Sequence, residues 1–411
     1  MMTQEFIFPK EFLWGAATSA HQVEGNNINS ECWLLEHLPE TIYAEPSGDA
    51  CDHYHRYPED IALLAELGFN SYRFSIEWAR IEPEEGEFSY AELEHYRRML
   101  ATCHAHNIKP MVTFHHFTTP RWLMRRGGWL DEKTPEYFAR YCKRATEHLG
   151  DLISAACTFN EPNLAMILSK LLPFKIQEGP FWNIAAQAFD VSPDRLGLFQ
   201  LVAEPRMRDI ILDAHRRAFE VLHAGPGDFP VGLTLALIDV QAAEGGENKA
   251  LEYRREMSDI YLEQVRKDDF IGVQTYSRML VGPNGAVSPG KHVEKNQTGE
   301  EFYPKAIGGT IRLAAEIAGI PIIVTENGLA STDDTQRVRY FQRALHSVVE
   351  AMGDGIDVRG YYCWSAFDNF EWVSGYTPKF GIITVDRETQ RRTPKPSAYW
   401  LGKIAQANRY Y

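Results

Sequence analysis

Residues 58–78 read PEDIALLAELGFNSYRFSIEW and contain the unit from which we predict the fold of the whole chain. The first half of this stretch spaces its apolar residues as one face of a helix does, and it stops at Gly68. The second half is a short run of apolar and aromatic residues that is typical of a strand. A helix that leads directly into a strand is the repeating unit of an α/β protein.

The same alternation continues along the whole chain. Short β-branched or aromatic runs predict eight strands, namely Phe12–Thr18, Ser71–Trp78, Lys109–Phe117, Ile153–Asn160, Pro230–Asp239, Phe270–Arg278, Pro321–Asn327 and Val358–Phe367. Helical patterns lie between them, most clearly in residues 204–225 and 335–355. Eight such units close an α/β (β/α)8 TIM barrel. No linker rich in Gly and Ser divides the sequence, so we expect residues 1–411 to form one barrel domain.

The composition argues against several classes of partner. The chain of 411 residues has 42 Lys and Arg against 56 Asp and Glu, a net charge of −14 at pH 7. Nucleic acids and anionic membranes attract clustered positive charge, so we expect neither as a partner. A small neutral solute fits this charge better.

Targeting and redox signals are also weak in this sequence. The first residues, MMTQEFIFPKEFLWG, lack the basic and apolar regions of a secretory signal. No stretch approaches the ~18 apolar residues of a membrane span, so we expect a soluble cytoplasmic protein. The six cysteines have no CxxC pair and no regular spacing, which predicts reduced thiols.

Two carboxylates stand where a barrel of this kind places its reactive groups, at the C-terminal ends of the strands. The fourth predicted strand runs into TFNEP, which contains Glu161, and the seventh ends in TENG, which contains Glu326. Glycoside hydrolysis needs two such groups, because one protonates the leaving oxygen while the other attacks the sugar or activates water. Taken alone, either Glu could equally be a helix N-cap or half of a salt bridge.

Other polar residues sit at the same predicted end of the barrel. Arg73 interrupts an apolar run, and a buried arginine is costly unless it is paired, so we expect a carboxylate partner in the barrel mouth. A purely structural ion pair is the alternative for Arg73. Glu371 and Trp372 follow the eighth strand and offer an acceptor for sugar hydroxyls beside a flat apolar surface.

These residues together resemble glycoside hydrolase family 1, the β-glucosidase family, over nearly the whole chain. The matching segments, in chain order, are FPKEFLWGAATSAHQVEG, CDHYHRYPEDIALLAELGFNSYRFSIEWARIEPEEGEF, TFHHFTTPRWL, TFNEP, VTENG and DNFEWVSGYTPKFGIITVD. One short motif would be a weak signal, but six in order at predicted strand ends are a strong one. The resemblance implies a retaining β-glycosidase, above all a β-glucosidase, that acts on a small β-glycoside or short oligosaccharide without cofactor or metal. The choice among glucose, galactose, fucose and xylose stays open from the sequence.

The resemblance also implies a role for each site residue. Glu161 is the implied acid/base and Glu326 the implied nucleophile, with Arg73 paired to Glu326 and Tyr276 positioning it. In a retaining enzyme the nucleophile forms a covalent glycosyl-enzyme that water later breaks. The residues implied to bind the sugar are Gln22, His116, Asn160, Trp364, Glu371, Trp372 and Phe380.

Three segments depart from the family pattern. Where the family reads Asn-Tyr-Tyr after the sixth strand, this chain has Gln274, Thr275 and Tyr276, and the longer amide could bond Glu326 or a sugar hydroxyl. The segments Asn26–Pro46 and Met166–Ser192 also differ from the commonest members. We expect both to flank the aglycone side, with Met166–Ser192 lining the site.

The DNFEW segment bears on phosphorylated substrates. Members of the family that act on 6-phosphosugars replace its Glu-Trp pair by smaller residues. Glu371 would repel a phosphate here, so the resemblance implies an unphosphorylated substrate.

Other classes of protein remain open from the residues alone. A metal hydrolase would use histidines with carboxylates, although His104 and His106 face different sides of a predicted helix. A non-catalytic sugar-binding barrel would lose one carboxylate, and both are present. An inverting hydrolase or a transglycosylase would use the same residue types. The sequence carries no signal for the oligomeric state.

Overall fold

A computed structural model of the chain describes residues 5–172 and 176–410. The strands among them are β1 (Phe6–Ile7), β2 (Leu13–Ala17), β3 (Ser71–Ser75), β4 (Lys109–His115), β5 (Ala155–Asn160), β6 (Val231–Ala236), β7 (Asp239–Ala242), β8 (Phe270–Thr275), β9 (Arg278–Gly282), β10 (Gly285–Val287), β11 (Ile322–Asn327), β12 (Val358–Trp364), β13 (Ile383–Val385), β14 (Arg392–Pro394) and β15 (Arg409–Tyr410).

The helices of the described residues lie mainly between these strands. They are α1 (Ala20–Val23), α2 (Glu31–Glu36), α3 (His53–Leu67), α4 (Trp78–Ile81), α5 (Tyr90–Ala105), α6 (Arg121–Met124), α7 (Thr134–Leu149), α8 (Leu164–Leu171), α9 (Pro180–Ala188), α10 (Pro205–Ala224), α11 (Glu247–Arg254), α12 (Ile260–Gln264), α13 (Ala306–Ala318), α14 (Asp334–Gly353) and α15 (Pro396–Ala407). No helix in the described part of the chain is long and apolar enough to cross a membrane.

Eight parallel strands close into a barrel in the order β2-β3-β4-β5-β6-β8-β11-β12, and β12 pairs back onto β2. The predicted (β/α)8 TIM barrel is therefore confirmed, and each predicted strand contains one barrel strand. Every residue of β3, β5, β6, β8 and β11 is buried. Strands that are covered on both faces need apolar residues at nearly every position, which is why they stood out in the sequence.

Several predicted strands extended past the ends of the barrel strands, and two of them ran into a neighbouring strand. The fifth predicted strand ran to Asp239, where β7 begins, and the sixth ran to Arg278, where β9 begins. In the structure β7, β9 and β10 form a separate three-stranded sheet in the order β10-β9-β7. Its strands follow the C-terminal ends of β6 and β8, so the small sheet stands beside the barrel mouth.

Helix α3 begins at His53, five residues before the start that Pro58 suggested. Proline lacks a backbone N–H and normally marks the first turn of a helix. Here the helix continues through it, and a 2.8 Å contact between His53 and Asp60 ties the first turns together. Gly68 ends the helix as predicted, with a φ of +106° that suits glycine. All six cysteines are buried and unpaired, as predicted.

Candidate active site

The two predicted carboxylates lie at the same end of the barrel. Glu161 directly follows β5, and Glu326 is the penultimate residue of β11. Both are buried, with exposures of 8% and 3%. Glu161 has a φ of +47°, in the left-handed region of backbone conformation that residues other than glycine seldom adopt. Such backbone strain is concentrated at functional sites, where the surrounding structure enforces it.

Arg73 is the buried cation of this site. It lies in β3 with no exposed surface, and its Nη1 donates to Glu326 Oε1 at 2.6 Å. Its Nη2 donates to Asn160 Oδ1 at 2.6 Å, and its Nε donates to Thr113 Oγ1 at 3.2 Å. The expected carboxylate partner of Arg73 is therefore Glu326. The same guanidinium fixes Asn160, which lies next to Glu161 in the chain.

Tyr276 holds the second oxygen of Glu326. Its hydroxyl donates to Glu326 Oε2 at 2.5 Å. Burial and the nearby carboxylates raise the pKa of Tyr276 well above its usual range, so the phenol remains a donor. Each oxygen of Glu326 thus has one donor, a guanidinium on Oε1 and a phenol on Oε2.

Gln274 contacts Glu161 rather than Glu326, and a hydrogen bond from its amide to a sugar hydroxyl stays a prediction. Its Nε2 donates to Glu161 Oε1 at 2.9 Å, and its Oε1 accepts from Thr325 Oγ1 at 3.1 Å. The hydroxyl of Thr325 holds the amide oxygen, which leaves the nitrogen toward Glu161. Gln274 lies in β8, separated from β5 only by β6, and the extra methylene of glutamine lets the amide reach across.

These partners give the two carboxyl groups different proton affinities. Burial and the charge of Glu326 raise the pKa of Glu161 to about 8, against the opposing effects of Gln274 and Arg73. Burial also raises the pKa of Glu326, but Arg73 and Tyr276 act in the opposite direction. Only Glu326 has a cation and a phenol in direct contact. We therefore assign the shared negative charge to Glu326 and the proton to Glu161 at neutral pH.

Gln22 and Glu371 form a second polar group at the mouth. The Nε2 of Gln22 donates to the carbonyl of Phe370 at 2.7 Å and to Glu371 Oε2 at 3.3 Å, while Ser19 donates to its Oε1. Burial and the charge of Glu326 raise the pKa of Glu371 well above its usual range.

Two buried polar atoms at the mouth are unpaired. Glu371 Oε1 and His116 Nδ1 are covered from solvent and have no hydrogen-bond partner among the described residues. Burial lowers the pKa of His116 well below its usual range, so its ring is neutral. Leaving a buried polar atom unpaired costs about 1–3 kcal/mol, and a bound ligand can supply the missing partner.

Three rings form a flat surface at the mouth. The ring of His116 stacks on Trp364 at 5.7 Å and lies nearly parallel to Trp372 at 6.3 Å between centroids. Phe380 contacts the ring of Tyr276 edge-on at 5.9 Å. The structure therefore brings every predicted site residue to one end of the barrel.

A buried pair behind this surface was missed in the sequence. His21 Nε2 lies 2.6 Å from Glu36 Oε1, with neither side chain exposed, and the His21 ring stacks on Trp372 at 5.5 Å. The only sequence signal was that His21 precedes Gln22 in a matching segment. Glu36 belongs to the segment Asn26–Pro46, which contacts the loop after Phe370, where Ala44 N donates to the Val373 carbonyl.

A cavity of about 380 Å³ adjoins Glu161, and Gln274 and Tyr276 also line it. No residue of Asn26–Pro46, all of which are described, lines it, and the expectation that this segment flanks the aglycone side stays a prediction. Among the described residues of Met166–Ser192, the segment expected to line the site, positions 167, 168 and 171 line this cavity.

Several other described residues of Met166–Ser192 lie at a second cavity. Ile176, Gln177 and Trp182 line a separate cavity of about 760 Å³ on the other side of α8. None of the predicted site residues lines that larger cavity. Residues 173–175 of the segment lie outside the described residues.

Known proteins resemble this chain in both sequence and structure. The family model for glycosyl hydrolase family 1 matches residues 4–182 and 267–410. The chain is 30% identical to Beta-glucosidase A of Acetivibrio thermocellus, over 98% of this chain and 99% of that protein. It is 32% identical to Thermostable beta-glucosidase B of Thermobispora bispora, over 98% of this chain and 92% of that protein. A crystal structure of beta-glycosidase BGL167 matches with a TM-score of 0.95 and 56% identity, covering 97% of each chain. The chain therefore belongs to glycosyl hydrolase family 1 and is a β-glycosidase.

Proposed function

We propose that this protein is a retaining, exo-acting β-glucosidase that hydrolyses unphosphorylated β-D-glucosides, with the whole chain forming one catalytic domain. The observation that carries the proposal is the unequal environment of the two carboxyl groups. Glu326 accepts from Arg73 at 2.6 Å and from Tyr276 at 2.5 Å, whereas Glu161 accepts from the neutral amide of Gln274. A charged nucleophile beside a protonated acid is the arrangement that double displacement requires.

In the first step Glu326 attacks the anomeric carbon while Glu161 gives its proton to the leaving oxygen. The bond from the sugar to the aglycone breaks, and an ester joins the sugar to Glu326. This ester removes the negative charge that helped to raise the pKa of Glu161. The pKa of Glu161 then falls, because one cause of its increase is gone.

In the second step the ionised Glu161 takes a proton from water, and the water oxygen attacks the anomeric carbon. The ester breaks and Glu326 regains its charge. Two inversions at the same carbon give a product with the configuration of the substrate.

The unpaired atoms at the mouth support recognition of a neutral sugar. We assign the hydroxyls of the terminal sugar to Glu371 and His116, each of which has a buried side-chain atom at the mouth that lacks a partner among the described residues. Further binding contacts are assigned to Gln22, Asn160, Trp364, Trp372 and Phe380. Asn160, held by Arg73, bonds the 2-hydroxyl, and Trp364 forms the floor below the ring. Sugar rings present C–H groups that pack on such aromatic faces.

A panel of nitrophenyl β-glycosides tests this proposal with the wild type and Glu326→Gly. The wild type is expected to prefer the glucoside over the galactoside, fucoside and xyloside. Glu326→Gly is expected to lose at least about 10³-fold in kcat, with azide restoring turnover by taking the place of the carboxylate. Full hydrolysis by Glu326→Gly, or no turnover of any glycoside by the wild type, would contradict the proposal. Sugar transfer to added alcohol in preference to water would favour a transglycosylase.

The phosphate question has its own measurement. The raised pKa of Glu371 shows that this buried position disfavours negative charge, and a 6-phosphate would add such charge there, so we expect the wild type to hydrolyse nitrophenyl glucoside at least about 100-fold faster than its 6-phosphate. Equal turnover of the two would overturn the assignment of an unphosphorylated substrate.

A further inference from the structure

The 380 Å³ cavity beside Glu161 differs in character from the sugar end of the site. Its volume lies in the range of about 300–1,000 Å³ that small-ligand sites occupy. Glu161, Gln274 and Tyr276 stand at its inner end, whereas Glu371 and Trp372 do not line it. The cavity therefore extends from the acid/base, on the side where the group leaving the sugar must lie.

Its walls are apolar and come from three separate parts of the chain. Leu164, Leu168 and Leu171 of α8 form one wall, Ile238 after β6 forms the second, and the β9–β10 hairpin adds the third. These parts lie far apart in the sequence and are brought together by the fold.

The walls are preformed. Ile167 and Met279 of the lining pack with Val281 in one buried cluster, with exposures of 5% or less. Helix α8 and the hairpin are therefore held together without a ligand. A site that is already in place loses less free energy to ordering when a ligand binds.

Of the polar side chains along the outer lining, Ser277, Arg278 and Glu301 are already engaged within the protein, and Glu300 at the exposed rim accepts from Asn296 and Thr298 through one oxygen. Arg278 donates to both carboxylate oxygens of Glu301 at 2.8 Å, and its remaining nitrogen donates to Gln241 at 2.9 Å. The hydroxyl of Ser277 donates to the backbone carbonyl of Glu301 at 2.8 Å. A second sugar would need such groups for its hydroxyls, whereas an alkyl chain would not.

The outer rim leaves apolar surface in water. Leu171 is 48% exposed and Val287 is 42% exposed, and both line this cavity. Covering apolar surface is favourable by about 25 cal/mol per Å². A ligand that extends outward over these two side chains gains from that burial.

We propose that this cavity binds the aglycone and selects an apolar alkyl or aryl group over a second sugar. The inference rests on the proposed β-glucosidase function, because it takes Glu161 as the group that protonates the leaving oxygen.

The test is kcat/KM for ethyl, butyl and hexyl β-glucosides and for cellobiose, measured by glucose release. Chain length changes the apolar area of these alcohols but hardly their acidity. The increase in kcat/KM with chain length therefore reports binding in the cavity. One fully buried methylene is worth about fourfold, which sets an upper limit of about 200-fold between ethyl and hexyl. We expect an increase of at least about tenfold, and a higher kcat/KM for hexyl glucoside than for cellobiose.

Two variants test whether the dependence of kcat/KM on chain length arises in this cavity. Leu280→Asp and Val287→Asp place a charge on the hairpin wall, and each is expected to reduce the hexyl-to-ethyl ratio at least about fivefold. The matched control is Leu251→Asp, an exposed leucine on α11 outside the cavity lining, which is expected to keep the wild-type ratio. Thermal unfolding of all three variants shows whether each is folded. The measurements on the wild type test the proposal even if a variant does not fold.

The outcomes separate the two proposals. A flat dependence on chain length, a higher kcat/KM for cellobiose, or an unchanged ratio in folded Leu280→Asp and Val287→Asp would overturn the apolar aglycone while leaving the glucosidase intact. Failure to hydrolyse any glucoside, nitrophenyl glucoside included, would overturn both.

Discussion

Replacement of Gln274 by methionine tests how the site divides one charge between two carboxyl groups. Methionine is close to glutamine in size but has no N–H, so Gln274→Met removes the 2.9 Å hydrogen bond to Glu161 Oε1. That hydrogen bond lowers the pKa of Glu161, because it favours the charged form. The variant should therefore have a Glu161 pKa above the value of about 8 in the wild type.

The magnitude follows from the strength of the lost contact. A hydrogen bond to a charged group is worth about 1.5–3 kcal/mol, and one to a neutral group about 0.5–1.5 kcal/mol. The difference of about 1–1.5 kcal/mol corresponds to an increase of about one pKa unit. Glu161 acts as an acid only while it is protonated, so activity is present below its pKa and is lost as pH rises through it. The basic limb of the pH profile should move upward by about one unit.

The assay is kcat/KM against pH with ethyl β-glucoside, whose poor leaving group needs the acid. Gln264→Met, which changes an exposed glutamine on α12, is the control and should keep the wild-type profile. A folded Gln274→Met enzyme whose basic limb stays within about 0.3 units of the wild type would refute this account of the Glu161 pKa.

Three further changes have outcomes that follow from single contacts. Tyr276→Phe removes the 2.5 Å hydrogen bond to Glu326, so kcat/KM should fall about 10- to 150-fold. The acidic limb of the pH profile should move to higher pH, because Tyr276 lowers the pKa of Glu326. Tyr399→Phe, at an exposed tyrosine, is the control variant. Arg73→Met leaves Glu326 buried without its cation and should cost about 3–5 kcal/mol in the free energy of unfolding, measured with denaturant; a loss below about 1 kcal/mol would contradict the pairing. Burial raises the pKa of Glu31 to about 8 in the folded protein, so the free energy of unfolding should fall as pH rises from about 4.5 towards 8. Glu31→Gln should reduce the difference between the free energies of unfolding in urea at pH 5 and pH 8. The same difference in the variant and the wild type would disprove this effect of Glu31.

The barrel was predictable because its strands are buried on both faces. That burial forces apolar runs such as β11, and it makes a carboxylate at the end of a run, such as Glu326, stand out. The same logic failed where no turn residues separate neighbouring strands. The runs that end at Asp239 and Arg278 therefore joined barrel strands to the small sheet beside the mouth.

Contacts between segments that are distant in the chain could not be predicted from sequence patterns. The partner of Gln274 depends on the Thr325 hydroxyl, which turns the amide toward Glu161 rather than Glu326. The position of Asn26–Pro46 depends on the buried pair of His21 and Glu36, which lie fifteen positions apart. The apolar cavity likewise joins α8 to a hairpin more than a hundred residues later, so no local pattern shows it.

The central claim is that Glu326 attacks the sugar and Glu161 exchanges the proton, and the configuration of the first product tests it most directly. Proton NMR of nitrophenyl β-glucoside hydrolysis, recorded before mutarotation, distinguishes the two anomers of glucose. Double displacement predicts β-glucose as the first product. Initial release of α-glucose would contradict the account, because it would mean that water attacks the sugar directly and that Glu326 forms no ester.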